Sequence, residues 1–346
     1  MWSRSDRSPA GATAGANATT GVTGSAGSPY GNGSSKLRQF SNAPEAGLLL
    51  AMVFAVVVFS LLSPNFFALS TGQLILRAVA SIGIIAVAEA ILLMTHEFDL
   101  SVGAVAGLGA LTAGTLMKEM PWVPAVLIGI LIGAVFGLIN GLLVTKLRIP
   151  ALIATLGMMF VAQGLTQVVT GGFPVSGLPD DFRAFGRFEL FGLPTGVWAF
   201  FLVVIAADVV LRRTVFGRRV YATGGNVNAA RLTGLQPDRV KIIAFVIAGV
   251  FAVVAGVLAV GRVGTGDPTT GAGWELQSIA GAVVGGVSLF GGAGRAVGAL
   301  LGVLFLQVIT SGLIVIGLDT SLKGVAVGVF LVAAIAFDRW RKLRSV

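Results

Sequence analysis
The sequence predicts an all-α, polytopic membrane protein of about ten transmembrane helices. Three observations carry that prediction. Of 346 residues, 55% are hydrophobic and only 11% charged, against about 25% charged in a soluble domain, and the mean hydropathy is +0.92. The apolar residues fall in blocks of roughly 17 to 25, long enough to cross a bilayer as helices. Glycine occurs 49 times, as suits helices whose backbones approach closely in lipid. Cysteine is absent, which excludes a disulfide framework, thiolate chemistry and Cys-ligated metal. The net charge of +9 fits the cytoplasmic loops of a membrane protein better than nucleic-acid binding.

The elements follow in order. Residues 1–42 are rich in Gly, Ser, Ala and Thr. They hold too little apolar surface to fold alone and lack a signal-peptide pattern. They read as a disordered cytoplasmic tail ahead of a membrane domain over 43–346. Block 1 covers about 46–62 and stops before Pro64. Blocks 2 to 5 cover about 73–95, 100–117, 122–145 and 150–170. A polar stretch, GGFPVSGLPDDFRAFGRFELFGLP, is too long for a tight turn. Blocks 6 to 10 cover about 195–211, 241–260, 275–290, 296–316 and 321–337. With the N-terminus inside, 18 of the 24 Lys and Arg residues fall on the cytoplasmic side. Arg77, Lys118, Arg183, Arg187, Arg262 and Lys323 fall outside. This is a positive-inside bias, and an even number of spans brings both termini to the cytoplasm.

Two stretches stand out from the apolar background. THEFDLSVG (Thr95 to Gly103) holds the single histidine together with Glu97 and Asp99. The charge count puts it at the cytoplasmic turn between spans 2 and 3. There Asp99, followed by Ser101, is placed to cap the start of span 3. The alternative is that the turn re-enters the protein and lines a pathway. HEFD lacks a second His at helical spacing, so no metal site is expected. The second stretch is the basic loop of about 212–241. Gly224, Gly225 and Asn226 make a turn signal, Asn228 is a candidate N-cap for the short helix AARLTG, and Pro237 leads into span 7. A small-residue helix between basic flanks is shaped to enter a partner's groove.

Polar residues inside spans are the remaining candidates. Glu89 sits in span 2, where a mid-membrane carboxylate costs about 2.5–3.5 kcal/mol on insertion scales. It either pairs with an arginine or lines a path. Asn140, Gln163, Gln167, Gln277, Gln307 and Thr310 either contact a neutral, hydroxylated substrate or bond helix to helix. The pairs Gly129/Gly133, Gly137/Gly141 and Gly298/Gly302 read as packing seams. On the outer side, Phe173–Pro194 and Gly261–Trp274 are the longest loops. Asp180, Asp181, Arg183, Arg187, Arg262 and Asp267 are candidate polar contacts there.

Four stretches together resemble sugar-type importer permeases of the ABC class, the family of the ribose permease. They are TVFGRRVYATGGNVNAARLTGL, THEFDLSVGAVAGLGA, PALIATLGMMFVAQGLTQVVTGG and SIAGAVVGGVSLFGGAGRAVGALLGV. With their spacing they cover nearly everything from about residue 45 to 340. The resemblance implies a type II-like ABC importer architecture with inverted repeats. It also implies partners: a second permease copy, two cytosolic ATPase subunits or one fused double ATPase, and an extracellular or periplasmic sugar-binding protein. Gly225, Asn226, Ala229, Ala230, Arg231, Leu232 and Gly234 would form the segment docking on the ATPase. Glu89, Asp99, Ser101, Asn140, Gln163 and Gln277 would line the path or its gate. No phosphate loop of the GxxxxGK[ST] type occurs in the chain, so ATP would be hydrolysed by the partners and no cofactor is expected here. The usual Gly-Gly before IDLSVG is His96–Glu97 in this chain, which predicts an altered turn or a charge role. The alternatives are a branched-chain amino-acid permease and an ion-coupled secondary transporter. A membrane enzyme would need a clustered set of His, Asp, Glu or Ser that this sequence lacks.

Overall fold
The computed structural model describes residues 44–318 and, beyond them, residues 324, 325, 328, 329, 332, 333 and 336. The N-terminal tail and most of the tenth apolar block lie outside the described residues. Twelve α-helices follow one another among the described residues: α1 (Pro44–Leu62), α2 (Leu69–Met94), α3 (Val102–Leu116), α4 (Trp122–Thr145), α5 (Ala151–Thr170), α6 (Asp180–Arg187), α7 (Thr195–Arg213), α8 (Val215–Gly225), α9 (Val227–Leu232), α10 (Pro237–Val263), α11 (Trp274–Val284) and α12 (Ala296–Val315). Six of them, α2, α4, α5, α7, α10 and α12, are long and apolar enough to cross a membrane. The apolar run Gly47–Leu62 within α1, and helix α3, are shorter apolar helical segments. Pro64 opens a 3-10 turn, Pro64–Phe67, directly after α1, as its missing N–H and fixed φ require.

Three features depart from the sequence reading. The eighth block is helical only to Val284, because Gly285 and Gly286 follow and Gly286 takes φ +88°. The polar stretch after α5 is ordered as α6 and a two-stranded hairpin, β1 (Glu189–Leu190) paired antiparallel with β2 (Leu193–Pro194). The basic loop contains two helices instead of one: α8 covers residues read as loop, and its end at Gly225 is followed at once by α9.

The glycine pairs are packing seams, as the sequence predicts. A Cβ on Gly129 would meet the Gly109 carbonyl, one on Gly133 the Gly249 carbonyl, and one on Gly137 the Phe245 carbonyl. So α4 lies backbone against backbone on α3 and α10, the close approach that small residues permit in lipid. Gly298 and Gly302 do the same for α12 against the Gly285 and Gly281 carbonyls of the α11 segment.

The short helices α3 and α11 begin at a common level inside the bundle. Gly103 lies against the Gly271 carbonyl and Glu275, and Gly107 against the Thr270 carbonyl. From there they run to opposite ends. The far end of α3 reaches Val175 and Leu178 in the loop before α6. The segment after α11 reaches Gly224 and Gly225 at the end of α8. Each short helix follows one long helix and a non-helical limb: α2, residues 95–101 and α3 in the first half, then α10, residues 264–273 and α11 in the second. At about 1.5 Å per residue α3 is roughly 22 Å long and α11 roughly 16 Å, so neither spans alone. This is the inverted arrangement that the resemblance implies.

Candidate functional site
The limb over residues 95–101 builds the central polar site. The Met94 carbonyl ends α2, and Thr95 and His96 form a tight turn whose N–H groups donate back to Leu92 and Leu93. His96 takes φ +67°, a region that L-residues enter at a cost and glycine enters freely. The turn therefore keeps a glycine-like shape at this position even with histidine in it. The chain then re-enters the bundle instead of capping span 3 at the surface, which corrects the surface-turn reading. Non-helical backbone is tolerated at this depth only where protein covers it, and Thr95, Asp99 and Ser101 are all buried.

The buried groups are mutually bonded. The Asp99 N–H donates to Glu89 Oε2 at 3.3 Å. The Ser101 N–H (2.7 Å) and hydroxyl (2.6 Å) both donate to Asp99 Oδ1. Asn140 Nδ2 reaches Asp99 Oδ2 at 3.0 Å and Ser101 Oγ at 2.9 Å. Ser101 is the residue at the N-cap position of α3, and its side chain makes no cap bond to the helix. Asp99 thus satisfies the N-cap residue itself, one step outside the role the sequence predicts. Glu89 has no arginine partner among the described residues. Its Oε1 and the Asn140 Oδ1 are buried without a hydrogen-bond partner.

Of the six residues expected along the path, the structure brings together four: Glu89, Asp99, Ser101 and Asn140. Gln277 lies apart on α11, where its Nε2 donates to the Gly273 carbonyl at 3.2 Å. Gln163 is exposed on the outward face of α5, as are Gln167, Gly157 and Gly164. Sequence reasoning gave no path role to Glu275, the second residue of α11. Its Oε1 accepts the Gly273 N–H at 3.2 Å, and its side chain lies beside Gly103. The signal was present in the inverted order: each short helix has an acid near its start that binds a backbone N–H of the preceding limb.

The second region is an elbow joined to that limb. Thr214 Oγ accepts the Gly217 N–H and starts α8. Asn226, not Asn228, caps α9 by accepting the Ala229 N–H at 3.0 Å. Gly234 ends it at φ +80°, a left-handed stop that glycine makes without strain. Gly225, Asn226, Ala229, Arg231, Leu232 and Gly234 are exposed, and Leu232 is 90% exposed. Ala230 is buried, which removes it from any outward-facing set and makes it a support for α9. Arg231 is paired with Asp238 at 3.3 Å.

Three segments close on the base of α2. Gly224 sits so near the Met94 carbonyl that a Cβ would overlap it, and the Gly292 N–H donates to that same carbonyl at 3.0 Å. The Tyr221 hydroxyl donates to the Gly294 carbonyl at 2.9 Å, and burial raises its pKa, which keeps the donor proton in place. Glu97 accepts from Lys241 at the start of α10, with the two side chains only 13% and 15% exposed. Glu97 is one of the two residues, with His96, that stand where the resemblance leads one to expect glycines, and its carboxylate is held by this ion pair.

The chain matches, over residues 72–335, the family described as branched-chain amino acid transport system / permease component. That match spans most of the chain. The chain belongs to this permease family. Its relatives include the ribose import permease protein of Escherichia coli K12, 38% identical over 295 residues, which is 84% of this chain and 92% of the relative. The ribose import permease protein of Bacillus subtilis 168 is 39% identical over 296 residues, 85% of this chain and 92% of its own length. The autoinducer 2 import system permease protein of Yersinia pseudotuberculosis YPIII is 35% identical over 303 residues, 87% of this chain and 86% of its own. No solved structure matches the chain. The family and the six span-capable helices make it a multi-pass membrane transport subunit.

Proposed function
We propose that this chain is the membrane permease subunit of an ATP-driven importer that moves a small sugar into the cytoplasm by alternating access. The observation that carries the reading is the elbow of α8 and α9. It presents an exposed Leu232 on a polar end of the molecule, and Gly224 couples it directly to the base of α2 and the buried limb. An exposed large apolar side chain on such a knuckle is an anchor for a partner's pocket. A push on the elbow would reach Asp99 through Met94, Thr95 and His96. Different ligand states of the partner would then shift the equilibrium between two arrangements of the limb. The relatives named for ribose and autoinducer 2 favour a hydroxylated substrate over an amino acid. ATP is hydrolysed by separate cytosolic subunits, two chains or one fused pair, and a binding protein delivers substrate to the outer loops. The exposed face of α5, with Gln163, Gln167, Gly157 and Gly164, suits a second copy, because glutamines are poorly placed against lipid.

Co-purification tests the whole reading. A tagged chain from mild detergent should bring down an ATPase subunit in about equal amount, and Leu232→Asp should lose both that subunit and uptake while still inserting in the membrane. A chain that purifies alone and transports on an ion gradient without ATP would instead be a secondary transporter. The orientation, with both termini cytoplasmic, has its own test. A single cysteine at exposed Ser176 should react with an impermeant thiol reagent in whole cells, and one at exposed Asn228 should not. Reversed labelling would invert the topology.

A further inference from the structure
At the end of the bundle opposite the elbow, a cleft of about 300 Å³ is lined by Arg77, Gly186, Arg187, Glu189, Pro194 and Arg262. Three guanidinium groups face it with one carboxylate. Glu189 is already engaged by Arg77 at 3.0 Å. Arg187 spends two donors on the Arg262 and Val263 carbonyls. The Arg77 Nε is buried without a partner, and the Arg262 side chain has no hydrogen-bond or ion-pair partner among the described residues. Arginine donors arranged around one open space suit the oxygens of a phosphate group, which their planar forks can bind two at a time.

The surroundings indicate where that phosphate comes from. Arg77 lies eight residues into α2 and Arg262 one residue from the end of α10, so the cleft sits where apolar helices reach the membrane surface. Its floor continues into apolar Ala80, Val197 and Leu258. Beside it, the tip of the β1–β2 hairpin holds Phe191 at φ +52° and 86% exposed. The ring packs edge-on against Trp198, with centroids 6.3 Å apart, and the Trp198 indole N–H donates to the Leu190 carbonyl at 3.1 Å. Phe188 and Leu190 are exposed on the same hairpin segment. Such aromatic groups anchor at headgroup level. We propose that the Arg77, Arg187 and Arg262 cleft holds the phosphate of an anionic phospholipid headgroup, with the hairpin aromatics resting at headgroup level beside it. The proposal needs only the membrane location of the chain and not its substrate.

Native mass spectrometry of the full, delipidated chain in detergent tests it. Dioleoyl phosphatidylglycerol, dioleoyl phosphatidylcholine and inorganic phosphate are titrated separately. Phosphatidylglycerol should bind more tightly than phosphatidylcholine, and Arg262→Gln should weaken it about tenfold, the loss of one charge-assisted contact. Arg262→Lys should recover part of that loss. Glu189→Gln removes the competing carboxylate and should tighten binding, a gain that no misfolded variant produces. Equal binding of the two lipids, unchanged in Arg262→Gln and Glu189→Gln, would overturn the proposal. Inorganic phosphate displacing phosphatidylglycerol at equal concentration would also overturn it and assign the cleft to a free anion. A cleft whose arginines affect only the docking of an acidic binding protein would overturn it as well.

Discussion

Asp99→Ala is expected to abolish uptake and to lower the stability of the purified chain more than any exposed substitution. The carboxylate accepts from the Ser101 N–H, the Ser101 hydroxyl and Asn140 Nδ2. Removing it leaves buried donors without an acceptor, at about 1–3 kcal/mol for each group left unsatisfied. Interhelical hydrogen bonds in membrane proteins average nearer 0.6 kcal/mol, so the penalty comes chiefly from the orphaned donors of the limb. Asp99→Asn keeps one oxygen for Ser101 but can turn an amide toward the Asn140 amide. It should be intermediate in both stability and uptake. Thermal unfolding in detergent and uptake in reconstituted vesicles check the order wild type, then Asn, then Ala. An alanine variant with wild-type stability and transport would remove the limb network from any role.

Gly224→Val is expected to separate the elbow from the limb. Any Cβ at this position overlaps the Met94 carbonyl and crowds the Gly292 N–H, so α8 must withdraw or the Met94–Gly292 bond must break. Overpacking of this kind costs about 1–3 kcal/mol, and here it acts on backbone, which yields less easily than a side chain. The expected result is a chain that still inserts and still retains its ATPase partner, because Leu232 and the exposed face of α9 are untouched. ATP hydrolysis by that partner should no longer drive uptake. Gly224→Ala should show the same defect more weakly. Normal coupling in the valine variant would mean that motion passes by another route, of which the Glu97–Lys241 ion pair is the nearest.

Much of this was legible in residue order. Boundaries of α4, α5, α7 and α12 follow from apolar length and from Pro121, Pro150 and Pro194 standing before three of them. The glycine seams follow from four-residue spacing, since that spacing puts both glycines on one helix face. The elbow is visible as a turn signal with small residues, but the sequence points to Asn228 as its cap where the structure uses Asn226. Asn226 and Asn228 are equivalent as local cap formers. In the structure α8 runs through Gly225 and Asn226 takes extended backbone, so Asn226 is the residue that stands in the cap position. Ala230 looked like a docking residue because small size suits both a docking face and a buried one, and only the packing of α9 separates the two.

The sequence by itself determined that the chain is an all-α membrane protein, which family it resembles, and which polar residues stand in apolar surroundings. Those properties are set by composition, length and period, all local along the chain. The tertiary structure alone decided that 95–101 returns into the bundle, that Glu89 meets Asp99 and not an arginine, that Gln163 and Gln277 stand apart from them, and that three outer arginines share one cleft. Such juxtapositions join residues distant in the chain: Asn140 and Asp99 are 41 positions apart, Lys241 and Glu97 are 144 apart, and Arg77 and Arg262 are farther apart still. Local spacing carries no information about such pairs, because it is the close approach of glycine-bearing backbones that determines which helix faces meet.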